Sequence, residues 1–166
     1  MAYNIWIFSA FFIDGYSNAG NALAGKYIGE KNNEKLKKLG NTLLKINIKI
    51  AIVLMCFYTI LYQLIGGIFN SNENVIEVFE NVFWIVILAQ PFNSIAFTFD
   101  GIFKGLGKAV DLRNTLIIGT FLFFIPTIYL LDVIIPQLIS VWIALSAWML
   151  YRGISLLVKF RKIVNS

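Results

Sequence analysis

Histidine is absent from this chain, cysteine occurs once, at Cys56, and proline only three times. Without histidine there is no Ser/His/Asp or Cys/His set for nucleophilic catalysis, so no catalytic residue is assigned and the chain reads as not an enzyme. A single cysteine builds neither a disulfide framework nor a Cys/His metal site, and no metal or cofactor is expected. Cys56 lies in an apolar run and reads as a small packing residue. Charge is scarce too: 14% of residues carry it, against about 25% in a typical soluble domain. The first residues have no basic segment ahead of an apolar stretch and no small-residue cleavage site, so they do not read as a signal peptide.

Apolar residues fill the space, at 58% hydrophobic and 16% aromatic, with a mean hydropathy of +0.75. Segment length decides what this means, because crossing a bilayer takes about 20 mostly apolar residues in a helix. Five runs qualify: Tyr3–Ile28, Thr42–Phe69, Val75–Phe103, Leu116–Leu131 and Gln137–Val158. They are continuous rather than alternating, which favours helices over a barrel. Between them lie a Lys-rich stretch (Gly29–Asn41), a polar one (Asn70–Asn74), a mixed one (Lys104–Arg113) and a tight turn (Asp132–Pro136). The expected fold is an all-α integral membrane protein with five transmembrane helices.

Charge placement sets the expected orientation, since cytoplasmic loops collect Lys and Arg. All 14 basic residues fall in the stretch after the first run with its helix margins (Lys26, Lys45 and Lys49 included), in the stretch after the third, or at the C-terminal end, which takes in Arg152. The opposite ends carry only Glu73, Glu77, Glu80 and Asp132. The net charge of +5 is therefore a topology signal, and no nucleic-acid partner is inferred. This places the C-terminus in the cytoplasm and the N-terminus outside. A translocated N-terminus with so short a lead, and an odd number of spans, point to a missing N-terminal part, with Met1 an internal methionine or a fragment start.

Polar residues within the runs are costly in lipid and mark candidate sites. Asp14, near the middle of the first run, costs about 2.5–3.5 kcal/mol on insertion scales. Asn18 and Asn21 follow at i+4 and i+7 on the same face, amid small residues that let a neighbouring helix approach. They form either a polar cavity wall or interhelical hydrogen bonds. In the third run Gln90, Asn93 and Asp100 share a broad face, and Pro91 predicts a kink near mid-membrane. Asp100 is either a functional carboxylate or the i,i+4 partner of Lys104.

Other patterns carry less. Gly20–Lys26 imitates a phosphate-binding loop, but Tyr27 occupies the hydroxyl position and no strand precedes it. Gly25–Gly29 and Gly101–Gly105 fit a nonspecific small-residue packing step. Trp6, Trp84, Trp142 and Trp148 read as interface anchors or packing residues, and Glu30–Lys38 as a solvated loop.

Two stretches resemble the multidrug and toxin extrusion (MATE) transporters. Phe11-Phe-Ile-Asp-Gly-Tyr-Ser-Asn-Ala-Gly-Asn-Ala-Leu-Ala-Gly25 is similar to that family's eighth helix, and Gln90-Pro-Phe-Asn-Ser-Ile-Ala-Phe-Thr-Phe-Asp-Gly-Ile-Phe-Lys-Gly105 to its tenth. The Gln-Pro, Asp-Gly and Leu112-Arg-Asn114 elements resemble the DinF-like branch. The resemblance implies a partial C-terminal lobe, helices eight to twelve of twelve, over residues 1–166. It also implies a bacterial cytoplasmic-membrane antiporter that exports cationic or amphiphilic organic compounds against entering protons or sodium. The missing N-terminal lobe of the same polypeptide would then be a partner. That branch's proton-coupling carboxylate lies in a helix this chain lacks, and the sodium-coupled branch has an acid where Asn93 stands. Two rivals remain: a lipid-linked oligosaccharide flippase, disfavoured by the lack of a basic residue near any span centre, and a small oligomeric structural membrane protein.

Overall fold

The computed structural model describes residues 1–165, and among them the regular structure is entirely helical. The helices are α1 (Ala2–Gly29), α2 (Asn33–Ile60), α3 (Tyr62–Phe69), α4 (Glu73–Gly105), α5 (Ala109–Gly119), α6 (Ile125–Leu131) and α7 (Gln137–Asn165). A π-helical turn over Thr120–Phe124 joins α5 to α6 without a break.

α4 is the axis of the bundle. It is apolar around most of its circumference, the pattern of a helix enclosed by others, and α1, α2 and α7 pack against it. α1 and α7 run parallel to α4: Ser17 and Asn21 meet Gly101 and Gly105, while Gly153 meets Ala96. α2 runs antiparallel, since Gly20 of α1 meets Leu43 and Ser9 meets Tyr58. Apolar packing collects towards the two ends, around Tyr58, Phe79, Phe83 and Trp142 at one and around Leu36, Phe99, Phe103 and Phe160 at the other.

Four stretches are long and apolar enough to cross a membrane: Asn33–Ile60, Glu73–Gly105, Ala109–Leu131 and Gln137–Asn165. α1, the fifth expected span, has 28 residues, but Asp14, Asn18 and Asn21 dilute its hydropathy. It nevertheless runs beside α4 from Ala2, which shares a cleft with Phe79, to Gly25, whose added Cβ would lie 3.1 Å from the Gly105 carbonyl oxygen.

The structure corrects several expected boundaries. The Lys-rich stretch is no loop beyond Asn32: the Asn32 side chain accepts a hydrogen bond from the Lys35 amide at 2.9 Å and starts α2 there. Leu36 is consequently fully buried within what was expected to be solvated chain. α1 ends in a Schellman turn, with Asn32 N–H donating to Tyr27 O and Lys31 N–H to Ile28 O. Lys31 takes the left-handed position at φ 51°; the equivalent turn after α4 uses Gly107, at φ 66°. The second run divides at Leu61, where Tyr62 turns its ring towards Phe83 and its hydroxyl donates to the Glu80 carbonyl. The fourth run begins earlier than expected, at Ala109. Its π turn immediately precedes Pro126, which has no N–H to return to Leu122. α4 continues unbroken through Pro91. Cys56 lies exposed on the outer surface of α2 rather than inside the packing.

The α1–α4 contact is the tightest in the bundle. A Cβ at Gly105 would sit 2.1 Å from the Asn21 carbonyl oxygen, and one at Gly101 would sit 2.4 Å from that of Ser17. Backbone cannot rotate away as a side chain can, so the helices would have to part. Gly29 and Gly15, by contrast, face open space. Gly105→Ala is expected to destabilise the protein by about 2–3 kcal/mol in a denaturant titration in micelles, and Gly15→Ala by under about 0.5 kcal/mol. Equal effects at the two positions would refute this account of the contact.

Candidate functional site

The polar residues inside this apolar bundle form two groups. The first is charged and joins α4 to α7. Asp100, with its side chain only 5% exposed, faces Arg152, 16% exposed. The guanidinium engages the carboxylate through two nitrogens: Nε donates to Oδ1 at 3.0 Å and Nη2 donates to Oδ2. This two-pronged geometry is the strongest form of the pair. Arg152 also lies over the Trp148 ring, 5.2 Å from its centroid, a cation–π contact that holds the guanidinium plane. Trp148 is held in turn by α5, where an added Cβ at Gly119 would lie 2.8 Å from Cδ1 of the indole. Asp14 of α1 is close enough for its charge to act on Arg152, so two carboxylates from α1 and α4 bear on one cation from α7.

The second group is neutral and joins α1, α2 and α4. Asn47, fully buried, donates from Nδ2 to Thr98 Oγ1 at 2.7 Å and to Ser17 Oγ at 3.2 Å. The two hydroxyls donate back along their own helices, Ser17 to the Ile13 carbonyl and Thr98 to the Ser94 carbonyl. Among the described residues Asn47 Oδ1 accepts nothing, and neither do Gln90 Oε1 or Asn93 Oδ1, while Asn93 Nδ2 donates to nothing. Gln90 Nε2 donates to the Val86 carbonyl at 3.2 Å. Buried polar atoms in a membrane bundle ordinarily find partners, so this cluster marks the part of the interior with unspent hydrogen-bonding capacity.

The expected site residues are thus distributed unevenly. Gln90, Asn93 and Asp100 are all buried on α4. Asp14 and Asn21 are half-buried at the rim of the α1–α4 contact, and Asn18 is exposed. The three α1 residues share a face, but the face that enters the packing is that of Ile13, Ser17, Gly20 and Ala24. Asp100 takes Arg152 as its partner, not Lys104, because α7 lies against the α4 face on which Asp100 stands. Arg152, counted from the sequence with the basic residues of the C-terminal end, is drawn into the bundle. Ser17, Asn47, Thr98 and Arg152 escaped the sequence reading, although Asn47 inside the run Thr42–Phe69 carried the same signal of a costly polar residue.

All five membrane-length helices place their basic ends together. Lys159 of α7 lies 3.1 Å from Asp111 of α5, Lys37 of α2 donates to Asn165 of α7 at 2.9 Å, and Gly25 of α1 meets Gly105 of α4. Helices alternating in direction, a largely buried ion pair and a buried amide cluster define a multi-pass membrane protein. A family model, described as MatE, matches residues 1–130, and the chain belongs to that family.

Its relatives agree. Protein DETOXIFICATION 43 of Arabidopsis thaliana is 24% identical over 151 residues, covering 91% of this chain and 28% of that protein. Probable multidrug resistance protein YoeA of Bacillus subtilis (strain 168) is 31% identical over 109 residues, covering 66% of this chain and 24% of that protein. The fold is similar to a solved inward-facing conformation of a multidrug resistance MATE family transporter of the MOP superfamily, with a TM-score of 0.86 at 18% identity. That similarity covers 99% of this chain and 38% of the solved one. A crystal structure of MATE in complex with MaL6 gives a TM-score of 0.84 at 18% identity, over 99% and 37%. The chain therefore spans roughly a quarter of the length of the curated relatives it matches.

The ion pair yields a direct expectation. Asp100→Asn leaves a half-enclosed guanidinium without its carboxylate and should destabilise the bundle by about 3–5 kcal/mol. Asp100→Asn combined with Arg152→Gln should recover more than half of that loss, because neither charge then remains unpaired. Additive losses in a double-mutant cycle, read by denaturant titration in micelles, would contradict a direct pairing.

Proposed function

We propose that this chain forms part of a secondary antiporter that moves cationic or amphiphilic organic compounds out of the cell against entering protons or sodium. It would contribute helices eight to twelve of a twelve-helix protein of the DinF-like branch, as a partial C-terminal lobe. The observation that carries this reading is Asp14: a carboxylate half-buried beside the Asp100–Arg152 pair, yet open on the outer rim of α1. Arg152 spends its hydrogen bonds on Asp100, which leaves the carboxyl group of Asp14 open to a positively charged solute. The exposed ring of Tyr16 lies two residues away and supplies a flat apolar contact. Asn18 and Asn21 line the same rim, and the buried α4 supplies the unpaired carbonyl oxygen of Gln90 and the unpaired amide of Asn93.

In this reading the protein converts no substrate, and its partners are the organic solute, the coupling ion, the bilayer and the other lobe of the same polypeptide. Collection of the cations at one end of the bundle supports a cytoplasmic C-terminus by the positive-inside rule. The bacterial relative is consistent with a bacterial cytoplasmic membrane. The flippase reading gains from the presence of Arg152 inside a span, but this cation is already neutralised by a bidentate carboxylate and is not free to meet a pyrophosphate.

The decisive experiment is ethidium efflux from a pump-deficient bacterium. Expressed with its native upstream sequence, the protein should export ethidium; the 166-residue chain alone should not. Asp14→Asn in the restored protein should lower efflux roughly tenfold at equal membrane abundance, the loss of one charge-assisted contact. Undiminished efflux at equal abundance would remove Asp14 from the pathway.

A further inference from the structure

The basic end of the bundle contains a groove that the transport reading does not use. Its floor is α2, where Lys37, Lys38, Asn41, Thr42 and Lys45 line an open depression of about 540 Å³. These positions recur at three- and four-residue steps and therefore form one helical stripe. Lys37 and Asn41 also border a second depression, of about 280 Å³, whose far wall is Leu157, Phe160, Arg161 and Val164 of α7. The two flank Lys37 and Asn41 on neighbouring sides of α2. They exist because Gly40 admits the Phe160 ring: a Cβ there would lie 2.5 Å from it, so α7 seats against α2 just below the lysines.

Charge in this groove is unbalanced. Lys37, Lys38, Lys45 and Arg161 face a single lining carboxylate, Glu34. The other acids at this end are engaged elsewhere: Glu30 with Lys26 and Lys35, Asp111 with Lys159. Lys38, Lys45 and Arg161 have no ion-pair partner among the described residues, and all three are exposed. Lys45 lies about 12 Å deeper along α2 than Lys37, where an ammonium extends along its stem towards the water interface.

We infer that the α2–α7 groove binds the headgroup of an anionic phospholipid, with the phosphodiester held by Lys38, Lys45 and Arg161 and an acyl chain lying along the partly exposed Leu157. Cations set beside an apolar wall at the end of spanning helices fit an amphiphile anchored in the same bilayer. A freely soluble phosphate would use the cations and leave the wall without a role. The occupant would tie α2 to α7 at the point where Lys37 already donates to Asn165.

The test uses the protein extracted in neutral detergent with its natural flanking sequence retained. Native mass spectrometry then reads retained phosphatidylglycerol, phosphatidylcholine of the same acyl chains, and competition by soluble glycerol 3-phosphate. Phosphatidylglycerol should be retained over phosphatidylcholine. Lys38→Gln, Lys45→Gln and Arg161→Gln together should weaken its retention on the order of a hundredfold. The charge-keeping set Lys38→Arg, Lys45→Arg and Arg161→Lys should retain it. Equal retention of both lipids, unchanged binding by the neutralised variant, or displacement by glycerol 3-phosphate would each overturn the assignment. If the neutralised variant loses its helical circular dichroism, photo-crosslinking of phosphatidylglycerol to the unaltered protein decides: adducts on 37–45 and Arg161 support the site, and adducts elsewhere refute it.

Discussion

Two glycines set the geometry on which the rest of the bundle depends. At Gly101 and Gly105 the α4 backbone comes so near the Ser17 and Asn21 carbonyls that no side-chain atom fits between them. In hydrocarbon, apolar surface gives helices no reason to prefer one another over lipid, so association rests on close packing and polar contacts. The glycines supply the first and, by drawing α1 inward, permit the second. Ser17 reaches Asn47 only because α1 is held this close, and Asn47 then bridges to Thr98 on α4. Asp14, one turn before Ser17, comes within electrostatic range of Arg152 for the same reason.

Polar groups in such an interior specify more than they stabilise. A buried ion pair is no stronger than the apolar contact that could replace it, yet it strongly penalises any arrangement that separates its members. The Asp100–Arg152 pair therefore selects one register of α7 against α4, and Trp148 backed by Gly119 fixes the guanidinium orientation. The amides of Gln90 and Asn93 behave differently, being enclosed but partly unpaired. The interior is thus divided into a region whose polar atoms are paired and one where several are not.

The all-helical architecture and the common basic end were legible from run length and the placement of lysine and arginine, because both follow from bilayer thickness and from topology rules that act on single segments. The spread of α1 residues around its axis was not. Asp14, Asn18 and Asn21 share a face, but that face is the rim, and only the positions of Gly101 and Gly105 on another helix decide it. The partner of Asp100 was hidden for a similar reason: Lys104 is near in sequence, whereas Arg152 is near only after α7 docks. Asn47 was legible and was missed; an amide in an apolar run is costly wherever it occurs. The early start of α2 also had a local signal, since Asn32 followed by Glu34 and a lysine-rich first turn is an ordinary helix opening. Hydropathy obscured it by ending the span where the charges begin.

The separation of Asp100 and Arg152 along the chain bears on how the protein is made. Their positions differ by 52 residues, so at a synthesis rate of about 5–20 residues per second roughly 3–10 s pass between the emergence of the acid and that of its counter-ion. During that interval Asp100 lies on α4 without the cation that pairs with it in the finished bundle. The α4–α7 contact stays incomplete until α7 leaves the ribosome. Docking of α7 is therefore the step that closes the Asp100–Arg152 pair.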